Sequence, residues 1–244
     1  MVHCHSFQKK LRLAFSLLVG FLFLTCLAMV VYPGGTIANP VANSYMFSEN
    51  FFSDLGRLTT FNGSSNVLSC IIFASAMLMA AVGQSLYLSM KWQILQSSSR
   101  VFALFGCLFG FIATAGQIGV AMTPGDLLGK IHMDFVYLLF CSFLISSSFF
   151  MIAIFKTKHY PNIYGWAFAG FGILLASYVL LLFYGPSIRT QTGLMIHAVA
   201  QKIIVYAQVL SIGIQLFGIR SLAAELLPFQ PESEATHPRP IETH

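Results

Sequence analysis

The sequence predicts an all-α fold, a polytopic membrane protein built as a bundle of six transmembrane helices. Of its 244 residues, 57% are hydrophobic and only 9% are charged, whereas soluble domains carry roughly 25% charged residues. The mean hydropathy is +0.76, and six apolar runs are each long enough to cross about 30 Å of hydrocarbon. No run shows the sustained alternation of apolar and polar residues that a membrane β-barrel requires.

The first run, 13–32, follows a basic segment that contains Lys9, Lys10 and Arg12. Secretory signals begin in the same way, but this run is longer than their apolar core and lacks a clean small-residue cleavage site. We therefore interpret it as a retained span. The other predicted spans are 66–90, 101–122, 131–155, 163–184 and 194–219. Each ends at charged residues, prolines or glycines, which are typical of helix ends.

The longest predicted connection, called here the long loop, comprises residues 33–65. Loops of that length in compact proteins are commonly functional. Its aromatic residues predict that it packs on the bundle, and segment 48–56 predicts a short interfacial helix closed by Gly56. The chain therefore divides into a six-span domain, 1–227, and a tail, 228–244, whose Pro, Glu, Ser and Thr content predicts disorder.

The basic residues predict the orientation, because Lys and Arg favour the cytoplasmic side of a membrane. One set of span ends carries eight of them and the opposite set only three. The eight are Lys9, Lys10, Arg12, Lys91, Arg100, Lys156, Lys158 and Arg220, and the three are Arg57, Lys130 and Arg189. We expect both termini in the cytoplasm and the long loop outside, in a plasma or inner membrane.

Composition also argues against several other classes of function. Basic residues at the span ends account for the net charge of +5. The sequence contains no clustered basic stripe of the kind that would predict nucleic-acid binding. The five cysteines are scattered singly without a Cys-x-x-Cys pair, so neither a zinc knuckle nor a disulfide framework is indicated.

Polar side chains near the outer ends of the spans form the candidate pocket, because such groups are costly in a bilayer and indicate function. The predicted pocket comprises Ser53, Asp54, Gln117, His132, Asp134, His197, Gln201 and Lys202. Asp134 and Lys202 are the only formal charges within the predicted spans. We therefore predict an ion pair between them, either structural or functional.

Three of these residues, Asp54, His132 and His197, could instead hold a zinc-like metal. Such a metal would activate water for hydrolysis. The three residues lie on separate elements, and no His-x-x-x-His motif is present. Asp54 could equally cap its local turn, and each histidine could bond a neighbouring helix.

The sixth span carries a polar face made of His197, Gln201, Gln208 and Gln215, at spacings of four, seven and seven. These spacings place the four side chains on one side of a helix. The face could line a polar conduit or hydrogen-bond neighbouring helices. Three glycines inside the spans predict close helix contacts: Gly106, Gly110 and Gly172.

Several short motifs resemble a family of six-span membrane proteins classified as domain of unknown function 998. They are Tyr32-Pro33-Gly34-Gly35, the segment 50–56, His132 at the start of the fourth span, and Gln201-Lys202-Ile203. The resemblance covers most of residues 10–220. That family often has arginine where this chain has Lys202. The lysine ammonium lacks the planar, bidentate hydrogen-bonding geometry of an arginine guanidinium.

The Ser53-Asp54-Leu55-Gly56 motif is also similar to the damage-regulated autophagy modulator group, which implies lipid-linked or membrane-organising roles. A further comparison is the alkaline ceramidase and progestin-receptor superfamily, whose members use Ser, Asp and His around zinc. This chain lacks the paired-histidine motif of that superfamily in its last span.

These observations predict an integral membrane protein whose outward-facing polar pocket binds a lipid or a protein partner, or that serves as a small subunit of a membrane complex. One alternative is a metal-assisted hydrolase of an amphiphilic substrate. Another is a transporter that uses the polar face of the sixth span.

Overall fold

Long α-helices make up most of the protein. The computed structural model describes residues 2–226, and this part of the chain contains no β-strand. The helices are α1 (Val2–Val30), α2 (Val67–Leu95), α3 (Arg100–Met122), α4 (Gly129–Phe155), α5 (Asn162–Tyr184) and α6 (Gln191–Leu226), with a short 3₁₀-helix (Phe52–Gly56) before α2. Each of these six α-helices includes a segment long and apolar enough to cross a membrane. The predicted six-span, all-α fold is therefore confirmed.

The predicted spans coincide with these helices, but some helices are longer. α1 begins before residue 13 and α6 continues past residue 219. Hydropathy identifies only the apolar part of a helix, whereas backbone hydrogen bonding continues into the polar residues beyond it. The predicted disordered tail, 228–244, lies outside the described residues.

Helices that are consecutive in the chain pack side by side, and α6 also contacts α1 and α2. Glycines bring α3 close to its neighbours. A β-carbon added at Gly106 would lie 2.9 Å from the Phe150 ring, and one at Gly110 would lie 2.5 Å from Leu88. The predicted close contacts are confirmed at these two glycines. The prediction is wrong for Gly172, because no atom of a neighbouring helix among the described residues lies within 4 Å of its β-carbon position.

The long loop is folded, and Asn50 lies at its centre. The Asn50 amide nitrogen donates to the Gly35 carbonyl at 2.9 Å, and its side-chain oxygen accepts the Met46 N–H at 2.9 Å. Gly34 has a φ of 111°, and a β-carbon there would lie 2.2 Å from a backbone oxygen. The loop therefore needs glycine at this turn.

The helix predicted over 48–56 is shorter than expected. A turn in which the Asn50 N–H donates to the Met46 carbonyl at 2.8 Å precedes the 3₁₀-helix, which does end at Gly56 as predicted. Phe52 and Leu55 are buried, so this segment packs into the protein. The end of the long loop is attached to the α3–α4 connection, because the Asp126 carboxylate accepts the N–H groups of Leu58 at 3.0 Å and Thr59 at 2.9 Å.

Candidate functional site

A partly open cavity with a volume of about 70 Å³ lies inside the bundle. Its walls come from α1, α2, α3, α4 and α6, and the 3₁₀-helix contributes Phe52 and Ser53. Most of the lining is aliphatic or aromatic. The polar side chains in the lining are Ser53, Gln84, Gln117, Gln201 and Gln208, and no charged residue within 2–226 belongs to it.

Two glutamines link α2 and α3 along one wall of this cavity. The Gln84 amide nitrogen donates to the Gly110 carbonyl at 3.3 Å, and the Gln117 amide nitrogen donates to the Met77 carbonyl at 2.9 Å. A backbone carbonyl can only accept, so these bonds fix the orientation of each amide. Neither amide oxygen receives a hydrogen bond from the part of the chain that the structure describes.

Gln201 connects α6 to the 3₁₀-helix. Its side-chain oxygen accepts the Phe52 N–H at 2.7 Å. The Phe52 ring in turn contacts Phe73 of α2, with ring centroids 5.5 Å apart. The 3₁₀-helix is therefore held between α2 and α6, where it closes one end of the cavity.

Lys202, the next residue of α6, binds the long loop. Its side chain is fully buried, and the ammonium donates hydrogen bonds to the Asn50 carbonyl and, at 2.9 Å, to the Ala198 carbonyl. The same ammonium lies 5.0 Å from the centroid of the Phe47 ring and 5.4 Å from that of Tyr45. Backbone oxygens and aromatic faces thus surround this cation.

Asp54 is a buried residue of the long loop that caps the 3₁₀-helix. Its carboxylate accepts the Phe51 N–H at 2.8 Å and the Asn50 side-chain amide at 3.2 Å. Burial raises the pKa of Asp54 to about 6, although these hydrogen bonds lower it, as do the charges of Arg57 and Lys202. The contacts match the turn-capping interpretation of Asp54.

The predicted ion pair between Asp134 and Lys202 is wrong. Asp134 is exposed, whereas the ammonium of Lys202 is bonded to Asn50 and Ala198. Side chains two positions apart on a helix point in directions that differ by about 200°. Because His132 points inward, Asp134 points outward. Lys202 is satisfied by carbonyl dipoles instead of a carboxylate.

The predicted metal site does not form. His132 Nδ1 donates to the Thr123 carbonyl at 2.7 Å, and His197 Nε2 donates to the Pro186 carbonyl at 3.0 Å. Each histidine therefore fixes the start of its helix to the preceding connection, while Asp54 binds within the long loop. Among the described residues, no group of three or more His, Cys, Asp or Glu side chains could hold a metal ion.

The predicted pocket residues thus fall into separate places. Ser53, Gln117 and Gln201 line the cavity, whereas Asp54 lies in the folded loop that covers it and Lys202 of α6 binds that loop. The polar face of α6 divides between two environments. Its Gln201 and Gln208 line the cavity, while His197 and Gln215 hydrogen-bond neighbouring segments.

Sequence reasoning missed Gln84 and misinterpreted Lys91, which it counted as a loop anchor. Lys91 is fully buried, and its ammonium donates to the Tyr160 hydroxyl and to the Gln215 side-chain oxygen, both at 2.7 Å. A signal was present, because residues 84 and 91 are seven apart and so share one face of a helix.

Comparison with known proteins finds no matching family model, no matching curated protein and no matching solved structure. The family resemblances therefore stay predictions. Three of the motifs that suggested them lie together in the fold: Asn50 bonds Gly35, Gln201 bonds Phe52, and Lys202 bonds Asn50.

Proposed function

We propose that this protein binds a lipid in the cavity between its helices, with the long loop as a cover facing the outside of a plasma or inner membrane. The observation that carries the proposal is the mainly apolar, partly open cavity between the helices. Protein interiors normally contain few voids larger than a water molecule, and this cavity of about 70 Å³ exceeds the roughly 10–15 Å³ that one water needs.

The chemistry of the lining supports a lipid as the occupant. Ligand sites are mainly apolar with a few well-placed polar groups, and apolar walls with four glutamines fit that description. The cavity lies among helices that are apolar enough to span a membrane. Molecules of the surrounding bilayer are therefore the most concentrated candidates to enter it.

The hydrolase alternative rested on Asp54, His132 and His197 as a common metal site. Each of these side chains is instead bonded to its own local segment. Lipid binding is therefore proposed ahead of hydrolysis. A protein partner would be recognised in the same experiment that tests for lipid.

The test uses the full chain purified in mild detergent and exchanged into lipid nanodiscs, followed by mass spectrometry of retained lipids and proteins. Val205 lines the cavity, and Ile203, two residues away on α6, is 51% exposed. Val205→Phe should remove a retained lipid that both the wild type and Ile203→Phe keep. Equal lipid content in all three proteins would contradict the proposal, and stoichiometric co-purification of another protein without lipid would favour the subunit role.

A further inference from the structure

We propose that the ligand is an uncharged amphiphile whose hydroxyl group donates a hydrogen bond to the side-chain oxygen of Gln117. This inference rests on the proposed lipid-binding function and adds the chemical class of the ligand. Long-chain alcohols and acylglycerols that keep a free hydroxyl belong to this class.

The charge of the site favours an uncharged ligand. None of the described residues that line the cavity is ionisable. The adjacent charged residues, Asp54 and Lys202, make their hydrogen bonds within the long loop and to the α6 backbone. An ionised head group would therefore enter a desolvated site without a counter-ion, which is strongly unfavourable.

The walls of the cavity leave part of their hydrogen-bonding capacity unused. Gln84 and Gln117 are 3% and 5% exposed, so both are almost completely buried, yet both line the cavity. Each uses its amide nitrogen on a neighbouring helix, and neither side-chain oxygen receives a donor from the described residues. The α2–α3 wall thus presents acceptors, and a buried acceptor favours a ligand that carries a donor.

The depth of Gln117 in the bundle favours it as the acceptor for the hydroxyl. Gln117 bonds the carbonyl of Met77, and Met77 lies one helical turn from Phe73, which contacts Phe52 beneath the loop. Gln84 lies seven residues beyond Met77, roughly 10 Å deeper in the bundle. The polar end of an amphiphile remains near the membrane surface while its chain extends inward, so Gln117 is the better placed acceptor.

The test uses three photoreactive probes with one alkyl chain: a long-chain alcohol, its methyl ether, and its phosphate monoester. Each is titrated against the full chain in phosphatidylcholine nanodiscs, and the cross-linked residues are mapped. The alcohol should label cavity residues such as Val205 with about tenfold higher affinity than the ether, since one hydrogen bond is worth up to about tenfold in affinity. The phosphate ester should label the cavity least.

Variants assign the acceptor. Gln117→Leu should reduce the affinity for the alcohol to that for the ether and leave the ether affinity unchanged, whereas Gln84→Leu should retain the preference for the alcohol. The comparison of probes on the wild type needs no variant, so it decides the ligand class even if a variant fails to fold.

The possible failures are distinguishable. Labelling confined to lipid-facing residues such as Ile203 would overturn lipid binding in the cavity itself. If the ether or the phosphate ester labels the cavity as strongly as the alcohol does, the proposed ligand class is overturned, but the proposed function remains intact. Loss of the preference in Gln84→Leu, with Gln117→Leu unaffected, would overturn the assignment to Gln117.

Discussion

The Lys202 ammonium, buried in α6, donates a hydrogen bond to the backbone carbonyl of Asn50 in the long loop. These two residues are 152 positions apart in the chain, and their bond joins the last helix to the loop that follows the first. Beside it, Gln201 accepts the Phe52 N–H at 2.7 Å. Adjacent residues of α6 thus hold the cover of the cavity in place.

Lys202→Met should loosen the long loop, because it keeps the aliphatic stem but leaves the Asn50 carbonyl without its donor. An unsatisfied buried polar group costs about 1–3 kcal/mol. We expect a lower melting temperature and faster proteolysis within residues 33–65. Lys130→Met is the matched control, since Lys130 is exposed near the same end of the bundle. Identical proteolysis of the two variants would contradict the role of Lys202.

Asp54→Asn should make the protein more stable at pH 7.5 and flatten its pH dependence. Burial raises the pKa of Asp54 from 3.8 to about 6, so the folded state binds the proton more tightly than the unfolded state. The resulting stability, about 3 kcal/mol, is present below pH 4 and is lost as the pH rises through about 6.

The measurement is a series of thermal melts of wild type and Asp54→Asn between pH 4 and pH 8. The stability advantage of Asp54→Asn should shrink as the pH falls, because protonated Asp54 resembles asparagine. Asp134→Asn controls for the loss of one negative charge at an exposed site. An advantage that is constant across this range would refute the assignment.

Lys91 and Gln215 should be energetically coupled, because the buried ammonium donates to the Gln215 side-chain oxygen at 2.7 Å. Lys91→Met and Gln215→Leu should each lower the free energy of unfolding by about 1–3 kcal/mol. The double variant should lose less than the sum of the two. Lys158→Met, at an exposed position, should have little effect. Strict additivity in the double-mutant cycle would show that the bond contributes nothing.

Two glycines should respond oppositely to alanine. A β-carbon at Gly116 would lie 2.7 Å from the backbone nitrogen of Leu139. A β-carbon at Gly172 would have no described atom of a neighbouring helix within 4 Å. Gly116→Ala should destabilise the protein by about 1–3 kcal/mol through overpacking. Gly172→Ala should leave stability unchanged or raise it by up to about 1 kcal/mol through helix propensity. Thermal melts in one detergent measure both, and similar shifts would contradict the α3–α4 contact.

The long loop should face the outside of the cell, because basic residues concentrate at the opposite span ends. In a cysteine-free background, an impermeant thiol reagent applied to intact cells should label Asn43→Cys and spare Ser98→Cys. Both positions are exposed, one in the long loop and the other between α2 and α3. Labelling of Ser98→Cys alone would reverse the proposed orientation.

The sequence by itself determined the six helices and the existence of a folded long loop. It did so because the hydrocarbon thickness sets a minimum apolar length for each span. Whether a segment meets that length depends only on consecutive residues of the chain. Gln117 and Gln201 were also found by sequence, since an amide within a span is conspicuous against apolar neighbours, and Ser53 was found through the Ser-Asp-Leu-Gly motif of the long loop.

Only the tertiary structure decided which polar groups meet. Asp134 and Lys202 have opposite charges at the same predicted side of the membrane, yet Asp134 faces outward and Lys202 binds the long loop. Lys91, placed in a connection by its charge, is buried against Tyr160 and Gln215. The direction of a side chain depends on how its helix is rotated against its neighbours. That rotation is fixed by packing contacts between residues far apart in the chain, on which hydropathy carries no information.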